Sequence, residues 1–441
     1  MDWENVHSRI AKAERFPAIG RIESVRGTTV VSRGPKAPVG ELCWIEGDGK
    51  PIVAELVGFE AKGRVLLTPY NELTGIEPGQ MVRALGHPLK IPAGPSVLGR
   101  VIDGTGNPLD ELGEIPGIRQ VVSTRPIPPL LRRPIDRPLV TGIRVIDTLL
   151  TLGMGQRVGI FAGAGIGKTT LLRQLLSGVQ ADVAVVALVG ERGREVAEFY
   201  QALPKPALAR TVIVAATSDM PAIMRLSAVH SANFIAESFR NQGKHVVLVV
   251  DSLTRVAMAQ REVGLEAGEI PSVRGYTPSV FQLLPRLLER AGLVGSGSIT
   301  GVYTVLLDGD DPTDPVGDAV RGILDGNLYL SRAMAERHHF PAIDVQKSLS
   351  RVMPMIVDDP QRKIASQVRQ ALSRLERSRD MVDIGAYQSG NDPALDRLLA
   401  LEPALWDWMQ QPDDIFSDPL SALESLRGII EPRSEEMTDG S

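Results

Sequence analysis

The segment 157–172 constrains the fold more than any other part of the chain, because an apolar run, a glycine-rich turn and a Lys-Thr pair follow one another in it. Residues 158–161 predict a buried strand, and residues 168–176 have the apolar spacing of a helix. A strand, a glycine turn and a helix in this order form a phosphate-binding loop, in which backbone N–H groups and the helix dipole hold polyphosphate. The predicted loop residues are Ala162, Gly163, Ala164, Gly165, Ile166, Gly167, Lys168, Thr169 and Thr170.

Two side chains of this loop are suited to nucleotide chemistry. Lys168 is placed to reach the β- and γ-phosphates, and the Thr169 hydroxyl is placed to ligate Mg²⁺. Ala162 stands where the pattern G-x-x-x-x-G-K-[ST] has its first glycine, and so small a side chain still permits close packing. A glycine-rich turn before an ordinary helix would explain the glycines but not the Lys-Thr pair, so we expect a nucleotide site.

The overall composition excludes several classes of protein. The 441 residues carry a net charge of −5, which gives no indication of nonspecific nucleic-acid binding. The single cysteine, Cys43, excludes an intrachain disulfide and a cysteine metal cluster. The longest apolar runs, such as residues 183–189, have the length of a strand, and the first residues lack the pattern of a signal peptide. We therefore expect a cytoplasmic protein.

Three regions with different patterns follow one another along the chain. Short β-type runs between glycine and proline turns predict a small β-barrel or sandwich over residues 16–90. Beyond the Pro- and Gly-rich connection 90–138, predicted strands alternate with helices, which indicates a parallel sheet covered on both faces. Residues 359–430 are predicted to contain only helices. The strands predicted in the first region are 28–31, 41–45, 52–59, 64–67 and 81–85.

The two ends of the chain are predicted to lie outside these regions. Apolar residues recur at helical spacing in residues 1–15, which indicates either an amphipathic helix that docks on a partner or a membrane, or a frayed terminus. The polar tail 431–441 is predicted to be disordered.

Two acidic residues follow predicted strands of the sheet. Asp251 comes directly after the apolar strand 245–250, where ligands bind in open α/β sheets, so we expect it to hold Mg²⁺ through its water shell. Glu191 lies two residues after the strand 183–189 and can face a water that attacks the γ-phosphate. The alternatives are an aspartate that caps a turn at 251–252 and a solvated face of acids and arginines.

Further motifs extend to the helical end of the chain. In chain order they are DRPLVTGIRVID (136–147), the phosphate loop, GERGREV (190–196), DSLTR (251–255), RGYTPSVF (274–281), LDGNLYLSR (324–332), PAIDV (341–345) and SRVM (350–353). With this ordered set the chain resembles the flagellar and type III secretion export ATPases, which are relatives of the catalytic β subunit of rotary ATP synthases. Synthase β subunits tend to carry Thr where Gly193 stands here, so the resemblance favours export over synthesis.

The resemblance implies roles for residues around the phosphates. Lys168 and Thr169 would hold phosphate and Mg²⁺, and Glu191 would polarise the hydrolytic water. Arg192 would lie beside Glu191, near the γ-phosphate. The implied ligand is ATP.

The resemblance also implies residues that act on the metal and across a subunit boundary. Glu195 and Asp251 would orient the water shell of Mg²⁺. Arg351 resembles the arginine finger that enters the neighbouring subunit's site, a role that the residues alone do not single out. Such an arginine, supplied in trans, contributes about 10³-fold or more in rate.

The architecture and partners implied by the resemblance follow the three regions. They comprise a six-stranded barrel over residues 16–90, a central RecA-like domain over 91–358 and a C-terminal helical domain over 359–430 that meets chaperones and substrates. The assembly would be a homohexamer with a central stalk protein and a peripheral regulator or stator. It would sit at the cytoplasmic face of the inner membrane, against the export gate, without nucleic acid.

Two other functions remain as alternatives. An RNA-dependent hexameric translocase of the transcription-terminator type shares such a core, but the acidic balance and the lack of a basic, aromatic-rich stretch in the barrel argue against it. A noncatalytic ring subunit would not need Glu191. The motifs are shared between flagellar and injectisome systems and do not separate the two.

Overall fold

The computed structural model describes residues 18–47, 51–123, 126–307 and 314–431. The predicted N-terminal segment 1–15, and all of the predicted tail 431–441 except Glu431, lie outside the described residues.

The first region is a closed six-stranded barrel with the strand order β1-β2-β5-β4-β3-β6. Alternating small and branched apolar side chains, among them Val30, Ile45 and Leu56, fill its interior. The sequence analysis did not predict β1 because only Gly20 and Ile22 of its eight residues are buried, which leaves a weak apolar pattern. The strands are β1 (Ile19–Arg26), β2 (Thr29–Arg33), β3 (Glu41–Ile45), β4 (Ile52–Glu60), β5 (Arg64–Pro69) and β6 (Met81–Pro88).

The Pro- and Gly-rich connection contributes four short strands instead of being wholly irregular. β7 (Lys90–Pro92) and β9 (Arg119–Val121) form a two-stranded ribbon. β8 (Val101–Ile102) joins the edge of the large sheet, and β10 (Arg132–Arg133) pairs with a later strand of that sheet. These strands have only two or three residues each, too few to show a period in the sequence.

The central region is a large, mostly parallel sheet with the strand order β18-β17-β11-β16-β14-β12-β13-β8. All neighbours from β17 to β8 run parallel, which confirms the predicted sheet type, while β18 is antiparallel to β17. The remaining strands are β11 (Arg157–Ala162), β12 (Val183–Val189), β13 (Thr211–Ala216), β14 (His245–Asp251), β15 (Gly292–Val294), β16 (Gly297–Leu306), β17 (Gly326–Tyr329) and β18 (Leu349–Ser350).

Helices cover both faces of this sheet. In β12, Val185 and Ala187 belong to the core on one face, whereas Val186 and Leu188 belong to the core on the other. Burial on both faces explains why these strands appear as continuous apolar runs in the sequence. The helices of this region are α1 (Arg144–Leu149), α2 (Lys168–Gly178), α3 (Gly193–Ala202), α4 (Lys205–Ala209), α5 (Ala222–Arg240), α6 (Leu253–Glu266), α7 (Pro278–Leu288), α8 (Pro315–Arg321), α9 (Arg332–Glu336) and α10 (Met353–Ile356).

Helix α6 connects the sheet to the barrel and is absent from the sequence predictions, because many of its buried residues are small. It begins directly after Ser252, whose hydroxyl caps it by accepting a hydrogen bond from the N–H of Arg255. At its other end the Glu266 carboxylate accepts hydrogen bonds from the hydroxyls of Thr28 and Thr29 in the first barrel hairpin.

Three helices form the C-terminal region, as predicted: α11 (Asp359–Asp383), α12 (Pro393–Met409) and α13 (Pro419–Ile430). Gln411, just after α12, ties this region to the sheet domain: its side chain donates to the carbonyl of Gly142 at 2.8 Å and accepts from the N–H of Arg144 at 2.8 Å. No helix in the described part of the chain is both long and apolar enough to cross a membrane.

Two buried histidines make the folded state sensitive to acid. Burial and, to a smaller extent, the positive charge of Arg290 lower the pKa of His230 to about 4. Burial also lowers the pKa of His245 to about 4, while its Nδ1 lies 2.5 Å from the hydroxyl of Ser298. Both rings are therefore neutral in the folded protein at neutral pH.

We predict that the free energy of unfolding falls as the pH is lowered from about 6.5 towards 4. In that window each of the two histidines binds more protons in the unfolded chain, where its pKa is ordinary, than in the folded chain, so each costs about 2 kcal/mol between pH 6.5 and 5. Asp147, whose pKa burial raises to about 6, offsets part of this loss. Denaturant titrations at several pH values measure the loss. His245→Gln should reduce the slope and the exposed His338→Asn should not; an unchanged slope in His245→Gln would contradict the assignment.

Candidate active site

The phosphate-binding loop lies between β11 and α2, as the sequence predicts. Ala162 ends β11, is buried, and its carbonyl accepts a hydrogen bond from the N–H of Leu307 at 3.0 Å. Gly165 and Gly167 have φ of +76° and +89°, a conformation that favours glycine. A Cβ on Gly167 would also come within 3.1 Å of the Phe340 ring. The glycines at 165 and 167 are thus required by the turn, whereas the alanine fits the core.

A lysine and two carboxylates meet above the loop. The Lys168 ammonium contacts Asp251 Oδ1 and lies 3.5 Å from Glu191 Oε1. The three side chains are only 12%, 8% and 4% exposed for Lys168, Glu191 and Asp251. They meet because β12 and β14 are parallel neighbours, with Leu188 opposite Asp251, so both acids emerge at the same edge of the sheet. Thr304 on the adjacent strand donates to Asp251 at 2.7 Å.

The surroundings of Glu191 make it a stronger base than an exposed glutamate. Burial raises its pKa most; Lys168 and Arg255 act in the opposite direction, while a hydrogen bond with Glu195 raises the pKa further. A carboxylate of raised pKa beside a phosphate site is suited to polarise a water or accept its proton.

Arg255 is a member of this cluster to which the sequence analysis gave no role. Its Nε lies 3.5 Å from Glu191 Oε1. Gly190 has φ +70°, and a Cβ there would come within 2.9 Å of the Arg255 side chain, so the glycine makes room for the guanidinium stem. The only sequence indication was its position in DSLTR, four residues after Asp251.

Two other predicted residues of the GERGREV motif lie at the rim of the site. Arg192 is 81% exposed and lies 3.8 Å from the Glu195 carboxylate in a surface ion pair. Glu195, in the first turn of α3, is half exposed. Within one chain, Arg192 therefore does not join Lys168 and Asp251, and its role at the γ-phosphate stays a prediction.

Arg351 lies far from the loop of its own chain. Its backbone N–H donates to the carbonyl of Asp325 at 2.9 Å, and the N–H of Asp325 donates to the carbonyl of Arg157 at 2.8 Å. Arg157 begins β11 and Ala162 ends it, so the strand, at about 3.3 Å per residue, separates Arg351 from the loop. The exposed Arg351 side chain thus lies near the amino ends of the parallel strands, whereas the loop lies at their carboxyl ends.

A cavity of about 730 Å³ opens beside the loop. Gly165, Gly167 and Thr170 form one side of it, and Phe340 and residues 410–413 form the other. An aromatic ring next to a phosphate site can stack on a nucleotide base. Sequence reasoning missed Phe340, although it directly precedes the PAIDV motif.

The donors at the loop suit Mg²⁺ bound together with phosphate. No group of three or more His, Cys, Asp or Glu side chains that could hold a metal ion occurs in the parts of the chain that the structure covers. Mg²⁺ is commonly held by one or two protein oxygens plus phosphates and water. Thr169, exposed in the first turn of α2, and Asp251 provide such a pair.

Comparison with known proteins agrees with this geometry. Residues 142–350 match the nucleotide-binding domain of the ATP synthase alpha/beta family, and residues 357–428 match the T3SS EscN ATPase C-terminal domain. The flagellum-specific ATP synthase of Bacillus subtilis is 46% identical over 438 residues, which cover 97% of this chain and 99% of that protein. The chain belongs to the family of flagellar and type III secretion export ATPases.

Other members of the export ATPase family show the same agreement. The type 3 secretion system ATPase of Xanthomonas euvesicatoria is 46% identical over 93% of this chain and 94% of its own length. The assembled ATPase EscN of enteropathogenic E. coli superposes with a TM-score of 0.88 at 42% identity, covering 93% of this chain and all of that one. The six-stranded barrel, the central α/β domain and the helical end are thus those of an export ATPase, and the RNA translocase alternative is not favoured.

We predict that Phe340→Ala weakens nucleotide binding about 10-fold, because loss of base stacking costs roughly 1–3 kcal/mol. Titration with a fluorescent ATP analogue measures the dissociation constant. Phe59→Ala, which removes an exposed ring from the barrel, serves as the control and should bind as the unaltered protein does. Equal affinity of the two variants would place the base elsewhere.

Proposed function

We propose that this chain hydrolyses ATP in a homohexameric ring and uses the energy to release, unfold and export substrate proteins through a type III apparatus. The observation that carries the proposal is the meeting of Lys168, Glu191 and Asp251 at the end of the phosphate loop. These are the groups needed to bind phosphate, activate water and hold a metal, and they come from the carboxyl ends of three separate strands and the segments that follow them.

Each group of the cluster has a distinct task in the proposed reaction. The loop amides and Lys168 hold the β- and γ-phosphates, and Glu191 accepts the proton of the attacking water or polarises it. Thr169 and Asp251 would hold the metal, and Glu195 would help to orient its water ligands. Bound Mg²⁺ would supply charge neutralisation between the phosphates. Arg255 keeps the Glu191 carboxylate oriented through the contact at 3.5 Å.

The position of Arg351 supports action between subunits. It lies at the opposite edge of the sheet from its own loop, so it can complete an active site only on a neighbouring copy. An arginine supplied in this way stabilises charge that develops on the transferred phosphoryl group. Hydrolysis then depends on assembly, which favours a ring, and one relative, EscN, has been solved as an assembled ATPase.

Partners and location extend the same proposal. EscN has also been solved in complex with its central stalk EscO, with a TM-score of 0.86 to this chain, which supports a stalk partner here. We further propose a peripheral regulator or stator, chaperones with their substrates at the helical domain 359–430, and peripheral association with the export gate at the cytoplasmic face of the inner membrane. Relatives named for flagella and for secretion are equally identical, at 46%, so the proposal covers both systems.

We predict that Glu191→Gln lowers kcat about 10²- to 10⁴-fold while the dissociation constant for ATP changes little, because the amide cannot accept a proton but preserves the shape of the side chain. Steady-state ATPase assays and nucleotide titration measure the two quantities. Glu198→Gln, on the exposed side of α3, is the matched control and should retain full turnover. Normal turnover of the Glu191→Gln ring would rule the proposal out.

A further inference from the structure

The side chain of Gln156 is completely buried immediately before β11, and both ends of its amide are used. Its Oε1 accepts a hydrogen bond from the N–H of Gly153 at 2.7 Å. Its Nε2 donates to the carbonyl of Asp325 at 3.0 Å and to the hydroxyl of Ser350 at 3.2 Å. A buried amide satisfied on both sides is rigid, and replacing it leaves partners without hydrogen bonds.

These contacts hold β18, the strand that Arg351 directly follows. The carbonyl of Asp325 that accepts from Gln156 also accepts from the backbone N–H of Arg351. Ser350, the adjacent residue, donates its hydroxyl to the carbonyl of Thr151 at 2.7 Å. Since β18 has only two residues, it has few ladder hydrogen bonds of its own, and this side-chain network supplies the missing restraint.

The space for the Gln156 amide is provided by a glycine. A Cβ on Gly326 would lie 2.7 Å from Gln156 Nε2 and 2.8 Å from the carbonyl of Leu349. The absence of a side chain at position 326 therefore lets the amide reach β18 across β17. An apolar residue at position 156 could occupy this space but could not hold either partner.

We propose that Gln156 is a positioning residue for Arg351, so that it acts on the active site of the neighbouring subunit and not on its own. The inference rests on the proposed trans role of Arg351. In the described parts of the chain the exposed Arg351 guanidinium forms no ion pair, so the backbone at 350–351 sets where the side chain can reach. A misplacement of about 1 Å at a reacting centre can cost 10²-fold in rate.

The first test is steady-state kinetics of rings made from one variant. Gln156→Leu should lower kcat roughly 30-fold, while ATP affinity stays within about twofold, because the residue's own phosphate loop is untouched. Ser350→Ala removes one member of the network and should lower kcat by a smaller factor. Asn233→Leu removes another buried amide, whose Nδ2 donates within α5, and should keep kcat near that of the unaltered ring. Thermal melts confirm that each variant is folded.

The decisive test is complementation between two defective subunits. Lys168→Ala subunits have a disabled loop but an intact Arg351 strand, so mixing them with Gln156→Leu subunits should raise ATPase activity roughly 5-fold above that of either parent. Subunits that carry both Lys168→Ala and Gln156→Leu should give no rise in ATPase activity when they are mixed with Gln156→Leu subunits. Rescue by the single variant and none by the double variant supports the proposal, since a general loss of stability would not respond to the neighbour's sequence.

A parallel mixture of Arg351→Ala with Lys168→Ala subunits tests the trans role of Arg351 separately from the positioning role of Gln156. If this mixture regains activity and the Gln156→Leu mixture does not, Gln156 does not position the finger and the inference is overturned. If the Arg351→Ala mixture gains nothing, the trans role of Arg351 itself is wrong. Should Gln156→Leu not fold, the same mixtures with Ser350→Ala decide the question, because loss of one hydroxyl leaves the packing almost unchanged.

Discussion

The parallel pairing of β11 with β16 and β17 is the constraint on which the rest of the structure depends. It fixes the start of β11 beside Asp325 and its end at Ala162. The phosphate loop therefore lies at one edge of the sheet and the strand of Arg351 at the other. If Arg351 acts on a neighbouring copy, as proposed, one subunit carries two incomplete sites, and a closed arrangement of copies completes each of them.

Much of the fold and half of the site could be predicted from the sequence because both depend on strand ends. Lys168, Glu191 and Asp251 each come soon after a continuous apolar run, and parallel strands bring their carboxyl ends to one edge. The same reasoning could not find Arg351, which follows a two-residue strand and was singled out only by resemblance to a family.

The residues that sequence reasoning missed owe their positions to tertiary packing. Phe340 and Gln156 lie in loops, where the sequence has no helix or strand periodicity from which their positions could be predicted. Arg255 needs the space left by Gly190. Strand β1 and helix α6 escaped prediction for a related reason. Strand β1 buries few side chains and helix α6 buries mostly small ones, so neither shows a clear apolar period in the sequence. Both are stabilised by packing against neighbouring elements.

Helix α6 connects the barrel to the candidate active site. It starts two residues after Asp251 and ends where Glu266 receives the hydroxyls of the barrel hairpin. Fourteen residues of helix form a rod of about 21 Å that resists bending over its length. The barrel hairpin and the Lys168–Asp251 contact thus lie at the two ends of one helix, so a displacement of the hairpin moves the rigid element next to Asp251 without an intervening flexible loop.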